Sequence, residues 1–346
     1  MMGAIRGRAG TRAVLLVTAV LHLPLLAGEA IAPNPPDRQH RWLPYAAPTR
    51  LHVVDAEGRI HLRPFVYPVV EVRPGVTVED RTRPAPLRLL PRCEPYRLWG
   101  LVRLERRLVG VDPPAVLLPL GADAYGRDVL ARLLVGGRLS VGAGLLAAGL
   151  AVGLGSLIGA AAGLTGGLAG AAVSRLTELF LALPWLYLLL GARALLPLSI
   201  SPTGAFLLVV VLIGAVGWPR PAHLVQATVR AARSAGWVDA ARGFGASRGY
   251  LLRRHLLPAA APVVLTQAAL LVPQYVLAEV ALSFLGLGVT EPASSWGNML
   301  TEAQRLHVLT AAPWLLSPAA ALLALNLCYH RLAALADAPG RRAKST

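Results

Sequence analysis

The chain has 346 residues, 55% of them hydrophobic and 15% charged, with a mean hydropathy of +0.55. That balance excludes an ordinary soluble domain, and several apolar runs exceed the roughly 18 residues that mark a membrane-spanning helix. A formal charge of +16 would suit a nucleic-acid binder, but the arginines cluster beside apolar runs with no aromatic platform among them, which excludes nucleic acid as a partner.

Arg6, Arg8 and Arg12 precede an apolar run at about 13–30, interrupted by His22 and Pro24. It has the outline of a signal peptide but is long for one. It is read as an uncleaved first span, with 1–30 holding a cytoplasmic N-terminus. Residues 31–138 are polar, rich in proline and arginine, and too long for loop charge to govern topology. They are read as a small, partly β extracytoplasmic insert ending in an elbow helix. Leu51–Leu62 predicts a hairpin turning at Asp55–Gly58. His52 and His61 in its arms can face each other as a surface pair, and Pro64, Pro68 and Pro74 limit strand length. Pro95–Gly110 is amphipathic. Leu120–Ser140 predicts an interfacial helix capped by Asp123, with Val129, Leu130, Leu133 and Leu134 on its apolar face. Arg127, Asp128, Arg132 and Arg138 then point toward headgroups or water. Cys93 and Cys328 are separated by spans and charges, so neither a disulfide nor a metal site is expected.

A five-helix core over 139–335 follows. Its first span, about 139–163, is dense in Gly and Ala, which lets neighbouring helices approach closely. The next, about 173–195, is interrupted by Pro184, and a third runs over about 203–218. A span at about 261–285 and a last one at about 311–332 complete six, placing both termini in the cytoplasm, and 336–346 form a basic tail. The fold class is an all-α polytopic membrane protein. A cytoplasmic loop, 222–260, carries an arginine-bearing island, Trp237–Pro258. There Asp239 stands in the first turn of a short helix, and Ala240 and Ala241 give a bare surface. Gly243 and Gly245 let the backbone turn, Ser247 caps a second short helix, and Pro258 opens the next span.

Glu279 is the only acidic residue well inside the fifth span, where a carboxylate must face a cavity or a partner. Ser283 shares its face at helical spacing, and Gln267 and Gln274 lie on another. These four are read either as a polar wall of a translocation path or as packing. Glu178 is expected to pair with Arg175 one turn away. Pro184 and Pro273 are expected to bend their helices, and Trp218, Trp296 and Trp314 to anchor at the membrane interfaces.

The island also carries a pattern. D-A-A-R-G-F-G at Asp239–Gly245, followed by Leu257-Pro258, resembles the coupling-loop signature of permease subunits of binding-protein-dependent ABC importers, with aspartate where glutamate is usual. Leu120–Ser140 is similar to the lead-in segment of the dipeptide/oligopeptide/nickel permeases, with Ala122 and Ala131 in place of Thr and Ser. Leu277–Leu300 is similar to that family's fifth span and following loop. The resemblance covers Tyr96 to Leu335; the 31–95 stretch is longer than usual for the family and matches weakly. It implies a type I ABC importer transmembrane fold in a prokaryotic inner or plasma membrane. The implied partners are a second homologous permease, two cytoplasmic ATPase subunits and an extracytoplasmic substrate-binding protein. The implied cargo is peptides or related small solutes, nickel complexes included. In the implied coupling loop, Asp239 and Arg242 make charged contacts, Ala240 and Ala241 allow close docking, and Gly245 turns the chain toward Leu257 and Pro258. The sequence has no G-x-x-x-x-G-K-[ST] phosphate loop, so ATP is expected to be a cofactor of the partner subunits and the chain itself no enzyme. A secondary transporter would need ion-coupling carboxylates and an internal repeat, for which Glu178 and Glu279 are the candidates. A non-transporting membrane scaffold is the other alternative.

Overall fold

A computed structural model describes residues 2–73, 76–194 and 201–342. Helices α1 (Met2–Leu26) and α2 (Gly28–Ile31) open the chain. Short strands follow: β1 (His52–Val54), β2 (Ile60–Val66), β3 (Val69–Arg73), β4 (Val76–Glu79), β5 (Ala85–Pro86), β6 (Arg88–Leu89), β7 (Arg92–Leu98), β8 (Val102–Arg106) and β9 (Val109–Gly110). The remainder is helical: α3 (Val129–Thr165), α4 (Gly167–Ala182), α5 (Trp185–Ala194), α6 (Pro202–Gly217), α7 (Pro219–Arg233), α8 (Gly236–Gly243), α9 (Arg248–Leu251), α10 (Leu257–Phe284), α11 (Trp296–Glu302), α12 (Leu306–Ala311) and α13 (Ser317–Arg342). The chain divides into two compact units, 19–140 with 283–321, and 1–18 with 141–282 and 322–346.

In the first unit β1, β2 and β5 form an antiparallel sheet, while β3–β4, β6–β9 and β7–β8 pair as separate ribbons. The expected hairpin is present: Val54 lies opposite Ile60, and Asp55 Oδ1 accepts the N–H groups of Glu57 and Arg59 across the turn. The two histidines do not face each other. The register shifts between His52 and Val54, so His52 lies opposite Phe65. His52 bonds Glu79 at 3.2 Å, and His61 bonds Asp55 at 2.9 Å. The His61 hydrogen bond outweighs the cost of burial and, with help from Arg59, pulls the Asp55 carboxyl down to about 2. Pro64 sits inside β2, Pro68 separates β2 from β3, and Pro74 lies outside the described residues.

Leu120–Ser140 corrects the sequence reading most. Residues before Val129 form tight turns, and α3 then runs 37 residues without a separate elbow. The cap is Asp128, whose Oδ1 accepts from the N–H groups of Leu130 and Ala131. Asp123 instead closes the preceding turn, accepting from Tyr125 and Arg127. Arg127, Asp128 and Arg132 do not point to water; they are 5%, 0% and 2% exposed. The physical reason is partners distant in sequence. Arg127 holds Asp123 at 2.6 Å and Glu291 at 2.7 Å, and Arg132 reaches the other Glu291 oxygen at 2.7 Å, so the buried charges compensate one another. Arg138 pairs with Glu29. Trp296 is no interfacial anchor either: it is 1% exposed, lies over Gly137, and donates its indole N–H to the Leu133 carbonyl. Trp314 donates to the Ala122 carbonyl.

In the second unit, α3 presents Gly155, Gly159 and Gly163 to α7, and a Cβ at Gly155 would lie 2.7 Å from the Trp218 carbonyl oxygen. The glycine-rich span thus serves close helix approach as expected. Gln226 of α7 donates to the Gly170 carbonyl of α4 and accepts from Ser174, a buried polar clamp. Four helices among the described residues are long and apolar enough to cross a membrane: Val129–Thr165, Thr203–Arg233, Arg248–Phe284 and Pro313–Leu335. Helices α4 and α5 are apolar enough together for a fifth if the pair is one span, and they are bent by 88° at the Leu183–Pro184 break. The apolar stretch Val14–Leu26 of α1 is shorter than a span of that kind. Proline acts unequally, since Pro273 leaves α10 continuous whereas Pro184 ends α4. Arg175 and Glu178 pair at 2.9 Å as expected.

Candidate functional site

Trp237–Pro258 folds as a helix–turn–helix. Helix α8 ends in a Schellman turn: Gly245 N–H bonds the Arg242 carbonyl and Ala246 N–H the Ala241 carbonyl. Gly245 takes φ +83°, which glycine reaches without steric cost, while Gly243 remains helical. Ser247 Oγ accepts the Tyr250 N–H at 3.2 Å, the expected cap of α9. Pro258 stands second in α10, as expected of a residue that opens the next span, but no break precedes it. The helix runs from Arg248 to Phe284, with a π turn over Leu252–Leu256 in which Leu257 N–H bonds the Leu252 carbonyl. Proline has no N–H and its ring crowds the carbonyl four residues back; the wider turn accommodates both.

One face of this device is fixed. Val238, Leu251 and Leu256 are at most 1% exposed and pack with Val225 and Val229 of α7 and Ala160 of α3. Ala241 and Leu257 lean on the same cluster, so both lie toward the core. The other face is open: Asp239, Ala240, Arg242, Gly245 and Pro258 are exposed. Asp239 and Arg242 pair at 3.4 Å on this surface. Phe244, the last residue before Gly245, is 93% exposed, and Trp237 and Tyr250 are 44% and 54% exposed beside His255. Sequence reading missed Phe244, although a large apolar residue inside a polar island is itself a signal.

Two cavities open in the same unit. One, of about 480 Å³, is lined mainly by apolar and aromatic residues, Phe180, Trp185, Leu271 and Tyr275 among them, with Arg220, His223 and Gln274 as its polar edge. The other, of about 890 Å³, is polar, with Arg175, Glu178, Arg230, Arg233, Asp239 and Arg242 around it. His223 lines both. Of the four path candidates, Gln274 reaches the apolar cavity; Gln267 and Glu279 are buried in α10, Glu279 completely.

Ser283, in the other unit, accepts the Val289 N–H at 2.9 Å and lines a pocket of about 500 Å³. That pocket is walled by Tyr125, Glu291, Asn298 and Glu302 next to the buried ion pairs. Burial opposes the charge on Glu291, but hydrogen bonds from Arg132 and Arg127 prevail and hold its carboxyl below the ordinary range. Glu302 is pushed up by burial and by the Asp123 carboxylate. The ion-pair set also escaped sequence reading. The Asp123–Arg127 and Asp128–Arg132 spacings were visible, but Glu291 lies too far along the chain to be joined to them.

Comparisons with known proteins match part of the chain. A family model described as a binding-protein-dependent transport system inner membrane component matches residues 155–339. A Brucella ovis protein that carries the name of a peptide permease is 38% identical over 194 residues, 56% of this chain and 62% of that protein. The oligopeptide transport system permease protein OppC of Salmonella typhimurium is 39% identical over 211 residues, 61% of this chain and 67% of that protein. OppC of Haemophilus influenzae is 34% identical over 212 residues, 61% of this chain and 65% of that protein. The chain spans about 62% of the length of the Brucella relatives it matches.

Proposed function

The chain belongs to the family of binding-protein-dependent transport system inner membrane components, and from that premise we propose that it is the membrane-spanning permease subunit of a peptide importer. Its partners are a second permease, two cytoplasmic ATPase subunits and an extracytoplasmic binding protein. ATP is bound and hydrolysed by the ATPases, and this subunit performs no covalent chemistry. Relatives named for peptide and oligopeptide transport support peptides as cargo. Nickel complexes, the other solute class of the resemblance, would pass as cargo. Six spans, with α1 as the first and the bent α4–α5 pair as the third, place both termini and the helix–turn–helix in the cytoplasm.

The observation that carries the reading is the two-sided build of Trp237–Pro258. Its inner face is locked to α7 by Val238, Leu251 and Leu256, and its outer face offers Phe244, 93% exposed, beside Ala240 and the Asp239–Arg242 pair. A short, rigid, packed element transmits force where a flexible loop would not. An aromatic set among small and charged residues is the composition of an interface anchor. Asp239, Ala240, Arg242 and Phe244 thus contact the ATPase, Gly245 shapes the turn, and Ala241, Leu257 and Pro258 tie it to the spans. Gln274 and His223 line the path through the helical unit, with Gln267, Glu279 and Ser283 as further polar groups along α10.

The experiment is copurification and uptake with Gly245→Pro. Proline requires φ near −65°, so the turn is lost. ATPase association and peptide uptake should fall together while the protein still reaches the membrane. Retention of both would sink the coupling role.

A further inference from the structure

The β7–β8 ribbon ends in a tip that water does not suit. Trp99 is 52% exposed, Leu101 82% and Val102 54%. Trp99 takes φ +57°, a left-handed conformation that bulky residues rarely adopt, followed by Gly100 at +72°. Two contacts hold the indole there. Its Nε1–H donates to the Leu26 carbonyl at 2.8 Å, and the Arg138 guanidinium lies 5.7 Å from the ring centre. Both partners mark the same level. Leu26 is the last residue of α1, whose apolar stretch is Val14–Leu26. Arg138 is the last charge on α3 before an uncharged run that extends to Arg175. Trp99 therefore sits where two independent helices pass from polar to apolar, and Leu101 and Val102 adjoin it.

Charge gives the second argument. Arg97 lies directly opposite Arg103 in the ribbon, and Arg92 opposite Arg106, all exposed; Arg103 pairs with Glu105 at 3.2 Å, which leaves the four-arginine set with a net positive charge. Like charges facing across strands repel unless an anionic surface lies against them. A tryptophan at the boundary, exposed apolar residues beside it and flanking arginines are the composition that binds a membrane interface.

We propose that the Trp99–Val102 tip of the β7–β8 ribbon inserts into the headgroup layer of the adjoining leaflet, with Arg97 and Arg103 on anionic phospholipid, tethering the insert to the bilayer. The inference rests on the reading of α1 and α3 as spans. The test uses the full chain bearing Cys93→Ser and Cys328→Ser in nanodiscs of phosphatidylethanolamine and phosphatidylglycerol. A fluorescent label is placed at Leu101→Cys, at Glu57→Cys in the polar β1–β2 turn, or at Leu146→Cys on α3. The Leu101 label should emit to the blue and be quenched by lipid spin-labelled near the headgroup, whereas the Glu57 label is quenched by aqueous iodide. Adding Arg97→Gln and Arg103→Gln should weaken the lipid quenching in these discs and not in pure phosphatidylcholine. Iodide quenching at Leu101 as strong as at Glu57, without lipid quenching, would overturn the tether while a lipid-quenched Leu146 label leaves the spans standing. Shielding of Leu101 that arises only on adding the binding protein would overturn it in favour of a protein contact. A Leu146 label that lipid never quenches would remove the spanning reading itself.

Discussion

Asp128 begins α3 from a fully buried position, its carboxylate accepting from Asn34 and two backbone N–H groups. Burial still dominates and pushes its carboxyl up to about 6 from 3.8. An acid raised in the folded chain binds its proton more tightly there than when unfolded. Its contribution is full below about pH 4 and is lost as pH rises through about 6, by about 3 kcal/mol for a shift of roughly two units. Asp128→Asn keeps an accepting oxygen for the cap and carries no charge. Its unfolding temperature relative to the parent should therefore rise between about pH 4.5 and 7.5, read in detergent by thermal unfolding. Phe244 makes the sharpest residue-level prediction about coupling. Truncating a central aromatic anchor costs about 2–4 kcal/mol of association, so Phe244→Ala should weaken ATPase binding by roughly 30-fold or more, with α8 still packed through Val238. Glu279→Gln addresses the path: normal uptake at normal expression would show that its charge is dispensable.

At the scale of the element, the helix–turn–helix derives its stiffness from two backbone devices. The Schellman turn needs φ +83° at Gly245, where any L side chain costs about 1–2 kcal/mol. Gly245→Ala should thus lower stability modestly and uptake partly, with Gly245→Pro more severe on both. The π turn before Pro258 is the second device; Pro258→Ala removes its cause and should let the segment relax to α geometry, re-aiming α8 and lowering uptake more than stability. Much of this element was legible in the sequence, because Gly245, Ser247 and the D-A-A run are local signals read within a few residues. The π turn was not, since it depends on how a proline is absorbed inside a continuous helix. Likewise the cap of α3 is Asp128 and not Asp123. Both Asp123 and Asp128 suit a cap locally, and only the turn at 123–127 and the distant Glu291 decide which one starts the helix.

For the whole molecule, four apolar spans and the polar loop were legible from composition, because length and apolarity are properties of a window, while the first segment falls short of a span by the same measure. What escaped was pairing between distant windows, Glu291 with Arg127 and Arg132 and Trp296 over Gly137, whereas the break between α4 and α5 falls at Pro184, where a bend is expected from sequence. The proposed topology places the insert outside and the helix–turn–helix inside. Cys93, a partly exposed free thiol in the insert, should accordingly react with a membrane-impermeant maleimide in intact cells, and labelling only after lysis would invert the arrangement. One contact decides the coupling role. Phe244→Cys, in the chain bearing Cys93→Ser and Cys328→Ser, should cross-link to a cysteine in the ATPase subunit of the assembled complex, with a yield that changes when nucleotide is added. An assembled, transporting complex that shows no cross-link from position 244 to any site on the ATPase would contradict it.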